Sequence, residues 1–123
     1  MMERMWLSVS EVLNVHTEMM EAHGGKLEIR DMAALETALL RPQVGNYERV
    51  TAAGAALFES MVTLRPFARG NKPTAFAVMD VFLRVNGWRL TCKPNEVLGV
   101  MLDPSEVDWR VVEDWLLENG REG

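Results

Sequence analysis

The sequence predicts an all-α fold, a compact bundle of about six helices around one central buried helix, in a single domain spanning residues 1–123. Three observations carry that expectation. Apolar residues recur three and four positions apart through most of the chain, the period of one helix face. Helix stop signals, Gly24-Gly25, Pro42, Asn86-Gly87 and Gly120, divide the chain into segments of helical length. A chain of 123 residues with 48% hydrophobic content can also bury roughly two thirds of its unfolded surface, enough for one core.

Ser8 or Ser10 caps a first helix carrying Val12, Leu13, Val15, His16, Met19 and Met20, which Gly24-Gly25 stops. Asp31 caps a short second helix through Met32, Leu35, Ala38 and Leu39. It is expected to end at Arg41-Pro42, because proline pushes the residue before it out of the helical region, and residues 43–47 read as a loop. From about 48 to 63, Ala52, Ala53, Ala55, Ala56, Leu57, Met61 and Val62 predict the central helix, buried on most sides, where small side chains let neighbours approach closely. Asn71 begins the next helix, with Pro73 tolerated in the first turn, running through Phe76, Val78, Met79, Phe82 and Leu83 to Asn86-Gly87.

Residues 88–92 alternate in character and read as a short extended piece. Pro94 or Asn95 opens a further helix through Val97, Leu98, Val100 and Met101, which Asp103-Pro104-Ser105 breaks. The last helix, about 107–118, sets Val107, Val111, Val112, Trp115 and Leu116 on one face before Gly120 ends it.

Composition narrows the function. A net charge of -5 disfavours a general electrostatic grip on nucleic acid, so any anion binding must be local. Cys92 is the only cysteine, which removes an intramolecular disulfide and fits a reducing compartment. No apolar run approaches the roughly 20 residues that span a bilayer, and a soluble cytoplasmic protein is the simplest expectation. The two histidines, His16 and His23, are not at metal-ligand spacing, which argues against zinc. Met1, Met2, Met5 and Trp6 form an apolar N-terminal segment that packs on a partner or on the domain itself, while Trp109 and Trp115 read as core.

The most informative stretch is Leu64-Arg65-Pro66-Phe67-Ala68-Arg69-Gly70-Asn71-Lys72-Pro73-Thr74-Ala75. Arg65, Arg69 and Lys72 put three cations and no acid within eight residues, beside a predicted helix N-terminus whose dipole already disfavours positive charge. Such a placement suits an anion in the cradle: a nucleotide phosphate, a sulfate or a partner's carboxylate. The plain alternative is a set of exposed arginines that turn into solvent.

Gly24-Gly25, Ile29-Arg30-Asp31, Leu35-Glu36-Thr37-Ala38-Leu39, Arg41-Pro42-Gln43, the Pro66-Phe67 and Gly70-Asn71-Lys72 loop, Phe82-Leu83 and Asn86-Gly87 together resemble the death-on-curing branch of the Fic/Doc family, in order over most of the chain. The resemblance implies a helical core in which a central helix leads into the loop and the following helix. It implies the toxin of a toxin-antitoxin pair, neutralised by an antitoxin helix lying over the active-site groove. It implies, further, ATP and Mg2+ as reactants and transfer of a phosphoryl group or AMP to a hydroxyl of a target protein, a translation elongation factor for the death-on-curing type.

The family pattern is His-Pro-Phe-x-Asp/Glu-Gly-Asn-Lys/Gly-Arg, often followed by Thr-Ala. The histidine serves as base, the acid holds magnesium, glycine and asparagine shape an anion cradle, and the arginine grips phosphate. Carried over residue by residue, Arg65 holds the catalytic histidine's position, and Arg69, Gly70, Asn71, Lys72 and Thr74 are the nucleotide- or anion-binding candidates. Three roles fail. Arg65 stays protonated and cannot be the base, Arg69 repels magnesium, and Pro73 has neither charge nor amide proton in the arginine's place.

The standard transfer is therefore expected to be absent or very weak, with the chain acting by binding an antitoxin or a nucleotide. The alternative is an ATP-dependent phosphotransferase or AMP transferase working through relocated groups, with His16, Asp80 or Glu59 as substitutes. His16 reads first as a hydrogen-bonded core or groove-wall residue, and His23 as part of the helix end.

Overall fold

The computed structural model describes residues 4–91 and 107–123. The element order is α1 (Val9–Ala22), α2 (Met32–Val44), α3 (Val50–Leu64), α4 (Asn71–Val85), β1 (Trp88–Leu90), α5 (Trp109–Glu118) and β2 (Gly120–Glu122). The expected all-helical bundle is present, with five helices among the described residues; the helix expected from Pro94 or Asn95 lies outside them.

α3 is central because its side chains are small where neighbours come close. Residues 51–58 are all buried, and α2, α4 and α5 all pack on this helix. Gly54 marks the tightest approach: a Cβ there would lie 2.9 Å from a Leu83 methyl of α4. Phe58, Met61, Phe82, Leu83, Leu35 and Leu116 fill the shared core with almost no exposed surface.

Of the two caps the sequence offers for α1, Ser8 and Ser10, the helix takes Ser8. Ser8 accepts from the Glu11 amide and the Glu11 carboxylate accepts from the Ser8 amide, a reciprocal capping box. His23 closes the helix, its Nδ1 donating to the Met19 carbonyl at 2.7 Å. The N-terminal segment packs on the domain: Trp6 stacks on Phe82 with centroids 5.5 Å apart, while Met5 stays 59% exposed.

α2 corrects one expectation, because it does not end at Arg41-Pro42 but continues through Gln43 to Val44. Proline inside a helix removes one backbone bond and costs roughly 3 kcal/mol in isolation. Here Pro42 is buried, the Arg41 guanidinium pairs with Glu59 and donates to the Ser60 hydroxyl of α3, and the Gly45 amide closes the last turn on the Arg41 carbonyl. Packing on α3 outweighs the lost bond.

β1 confirms the short extended piece at its described positions, and β2 answers it in an antiparallel pair, Trp88 opposite Glu122 and Leu90 opposite Gly120. Gly120 allows this closure, since a Cβ there would meet the Trp88 Nε1 at 2.3 Å. α5 buries Val112 and Leu116 as expected, with Trp115 half-buried, but Val111 points outward at 59% exposure. Glu113 takes an inward position instead, accepting both forks of Arg49 at 2.7 Å and the Thr51 hydroxyl at 2.8 Å. That network ties α5 to the start of α3.

Candidate functional site

The loop between α3 and α4 sits at the far end of the central helix from the Arg49–Glu113 network. α3 ends at Leu64 because Arg65 turns left-handed, φ 48° and ψ 61°, a conformation that costs a non-glycine residue roughly 1 kcal/mol or more. Pro66 and Phe67 then bury themselves, and an antiparallel bridge joins Phe67 to Ile29. The Arg30 and Asp31 amides both donate to the Pro66 carbonyl, at 2.8 and 3.0 Å, and the Ala68 amide donates to the Glu28 carbonyl at 2.9 Å.

Asn71 holds the other side of the turn. Its Oδ1 accepts from the Phe67 amide at 2.9 Å and its Nδ2 donates to the Phe67 carbonyl at 2.8 Å. The Asn71 side chain is thus committed to the loop's shape. Gly70 caps α4 with φ 75°, which favours glycine, and a Cβ there would lie 2.8 Å from the Met20 sulfur. The backbone therefore enters α4 pressed against α1.

An open cavity of about 320 Å³ lies over this turn, lined by Val62, Arg65, Arg69, Gly70, Asn71, Lys72 and Pro73. Five of the six residues singled out from the sequence thus come together. Thr74 does not join them: it is buried beneath the loop, its Oγ1 2.9 Å from the His16 Nδ1. Arg65 and Arg69 are exposed, and neither guanidinium has an acidic partner among the described residues. The first-turn amides of a helix lack intrahelical acceptors and carry its positive end, and Pro73 removes one amide from that set.

A magnesium ion does not fit this loop. Hard cations need oxygen donors, yet the cavity is lined by Arg65, Arg69 and Lys72 and by no acid among the described residues. No three His, Cys, Asp or Glu side chains among the described residues could hold a metal together.

Of the three substitutes considered for relocated catalysis, Glu59 and Asp80 are paired with arginines outside the cavity lining, and His16 is sealed beneath the loop. Glu59 pairs with Arg41 and accepts from the Trp109 amide at 2.7 Å. Asp80 lies nine residues past Asn71 on α4, roughly 13 Å along the axis at 1.5 Å per residue. Burial raises its carboxyl above the usual range, opposed by Arg84 at 2.9 Å. His16 is fully buried, its ring stacked on Phe67, and its Nε2 has no hydrogen-bond partner. Burial holds its pKa below the ordinary 6.5.

Sequence reasoning did not find Arg30 as part of this loop. Its Nε donates to the Arg65 carbonyl and its Nη2 to the Leu64 carbonyl, each at 2.7 Å. The only signal was its place in the Ile29-Arg30-Asp31 string.

These features define a helical protein that presents a glycine-capped helix N-terminus and a group of cations at the end of a central buried helix. Residues 6–83 match the Fic/DOC family, and the chain belongs to that family. A stretch is 39% identical over 74 residues to "Toxin Doc" of Mycolicibacterium smegmatis (strain ATCC 700084 / mc(2)155), covering 56% of this chain. The chain spans 57% of the length of that relative. No described helix is long and apolar enough to cross a membrane.

Proposed function

We propose that this chain is a Doc-type, toxin-like member of a toxin-antitoxin pair whose loop binds an anionic group without transferring it. One observation carries the reading: Arg65, Arg69 and Pro73 occupy the base, metal-holding and phosphate-gripping positions, while Pro66, Phe67, Gly70, Asn71 and Lys72 keep the loop's form. A guanidinium cannot accept a hydroxyl proton at physiological pH. Losing a positioned base alone lowers rates by roughly 10² to 10⁴, and losing the metal site adds to that.

What remains is a local concentration of positive charge in a protein of net charge -5, set against the positive end of a helix. Two ligands match that chemistry: the phosphates of a nucleotide such as ATP, and a carboxylate carried by an antitoxin helix in the groove. The similarity to a toxin of the Doc type supports the antitoxin setting, in the cytoplasm where such a partner would be made. Transfer to a translation elongation factor through relocated groups is the less supported reading, because His16, Glu59 and Asp80 are buried, paired or distant from the cavity.

Calorimetric titration with ATP and with inorganic tripolyphosphate tests the reading. The expected result is saturable binding that is unchanged by a chelator, falls with added salt, and weakens in Arg65→Ala and Arg69→Ala. Binding that requires magnesium, or none at all to either polyanion or to an acidic antitoxin helix, contradicts it.

A further inference from the structure

Arg30 lies outside the loop and outside the cavity lining, yet it hydrogen-bonds the backbone where α3 passes into the loop. Its side chain and amide reach three successive carbonyls: Nη2 to Leu64 and Nε to Arg65, both at 2.7 Å, and the backbone amide to Pro66 at 2.8 Å. The residue on one side, Ile29, bridges to Phe67, and the residue on the other, Asp31, caps α2 by accepting from the Ala34 amide. Arg30 is therefore fixed at both flanks and projects its planar fork onto the end of α3.

The position suits the chemistry of the fork. The last carbonyls of a helix have no intrahelical donors and carry its negative end, so a cation with two parallel N–H groups satisfies both needs. The second carbonyl belongs to Arg65, the residue in the left-handed conformation. Left-handed backbone at a non-glycine position persists only where surrounding contacts over-determine it. Arg30 supplies such contacts, along with the Arg65 amide's own bond to the Met61 carbonyl at 3.3 Å.

We infer that Arg30 is the positioning residue of this loop: its fork on the Leu64 and Arg65 carbonyls holds the left-handed turn that directs residue 65 toward the cavity. The consequence for ligand affinity rests on the anion-binding reading above, whereas the consequence for the backbone does not. Without the fork, residue 65 relaxes toward ordinary backbone regions. If the competent turn then falls to about a tenth of the population, apparent affinity falls about tenfold, since it scales with the competent fraction.

The test compares Arg30→Ala and Arg30→Lys with the unaltered chain and with Glu113→Gln, which loosens the opposite end of the bundle. Lysine keeps the charge but replaces the rigid two-nitrogen fork with a single donor atom on a flexible stem, and it is the deciding variant should alanine fail to fold. Two readouts are taken: affinity for inorganic tripolyphosphate by calorimetry, and the backbone chemical shifts and amide coupling constant of Arg65 by NMR, which report its φ directly.

The inference predicts loss of the left-handed signature at Arg65 and about tenfold weaker binding in Arg30→Ala, a smaller change of the same kind in Arg30→Lys, and neither change in Glu113→Gln. A signature unchanged in the folded Arg30 variants overturns it, as does an equal change in Glu113→Gln. If the unaltered chain binds no tripolyphosphate while the Arg30 variants still lose the signature, the positioning role stands and the anion reading falls.

Discussion

The imidazole of His16 lies flat against the ring of Phe67, with centroids 3.7 Å apart and planes 6° from parallel. A residue from α1 thus forms the underside of the loop between α3 and α4, and its Nδ1 meets Thr74 of α4 at 2.9 Å. The floor of the candidate site is built from three separate parts of the chain, so its integrity should respond to the charge on His16.

That charge gives a prediction with a defined sign. The folded pKa of His16 lies below the ordinary 6.5, because burial disfavours the charged ring and Nε2 has no acceptor for a second proton. Above that value the ring is neutral in both states and stability is complete. As pH falls below it, the unfolded chain takes a proton that the folded chain refuses, and stability declines until the folded pKa is passed, by at most about 1.4 kcal/mol per pH unit. Thermal unfolding between about pH 7 and pH 5 should show the decline, and His16→Asn, which keeps a partner for Thr74 without titrating, should flatten it. An equal decline in the variant would contradict the assignment.

Gly70→Ala should destabilise the fold by about 1–3 kcal/mol, because φ 75° strains any side chain and the new Cβ would press on the Met20 sulfur. Chemical denaturation measures the change. Gly87→Ala is the informative comparison, since φ 86° imposes similar strain with nothing within 4 Å of the new Cβ. Gly70→Ala should be the more damaging of the two.

Glu113→Gln should cost about 1–2 kcal/mol at neutral pH, a figure reduced for the exposure of its partner Arg49. The Arg49 guanidinium, helped by Thr51, holds the Glu113 carboxyl below the ordinary 4.5, against the opposing effect of burial. The stability it contributes is present above that value and lost as pH falls through the lower folded pKa. The difference between the two proteins should therefore vanish in acid, as urea titrations at several pH values would reveal.

Much of this fold was legible because its signals are local. Ser8 with Glu11, Asp31, Gly70 with Asn71, and Asn86-Gly87 each mark a helix boundary through chemistry within one turn. What escaped depended on distant partners. Pro42 reads as a stop, yet Arg41 pairs across to α3 and the helix continues; Val111 reads as inward, yet Arg49 and Thr51 draw Glu113 inward and leave Val111 exposed. β2 carries no apolar alternation and exists because β1 offers it an edge. At the site, the motif located Arg65, Arg69, Gly70, Asn71 and Lys72 around one cavity. Thr74 and Asn71 turned out to serve His16 and Phe67, and Arg30 acts across 35 residues, a separation that no spacing rule reaches.

Reinstating the family pattern should reinstate its chemistry. The triple change Arg65→His, Arg69→Asp and Pro73→Arg supplies a base, a carboxylate for magnesium and a phosphate fork on a backbone already shaped for them. Growth arrest on induction and labelling of a cellular protein are the expected outcomes. A folded triple variant that stays inert would count against the view that these three positions alone separate this chain from an active relative.

The central claim, binding in place of transfer, is tested most directly by incubating the purified chain with bacterial lysate, magnesium and ATP labelled separately at the alpha and gamma phosphates. An active family member serves as control. The account predicts no labelled protein above background from either label. Label from gamma would show phosphoryl transfer and label from alpha would show AMP transfer, and either would contradict the reading of Arg65 as a residue that cannot serve as the base.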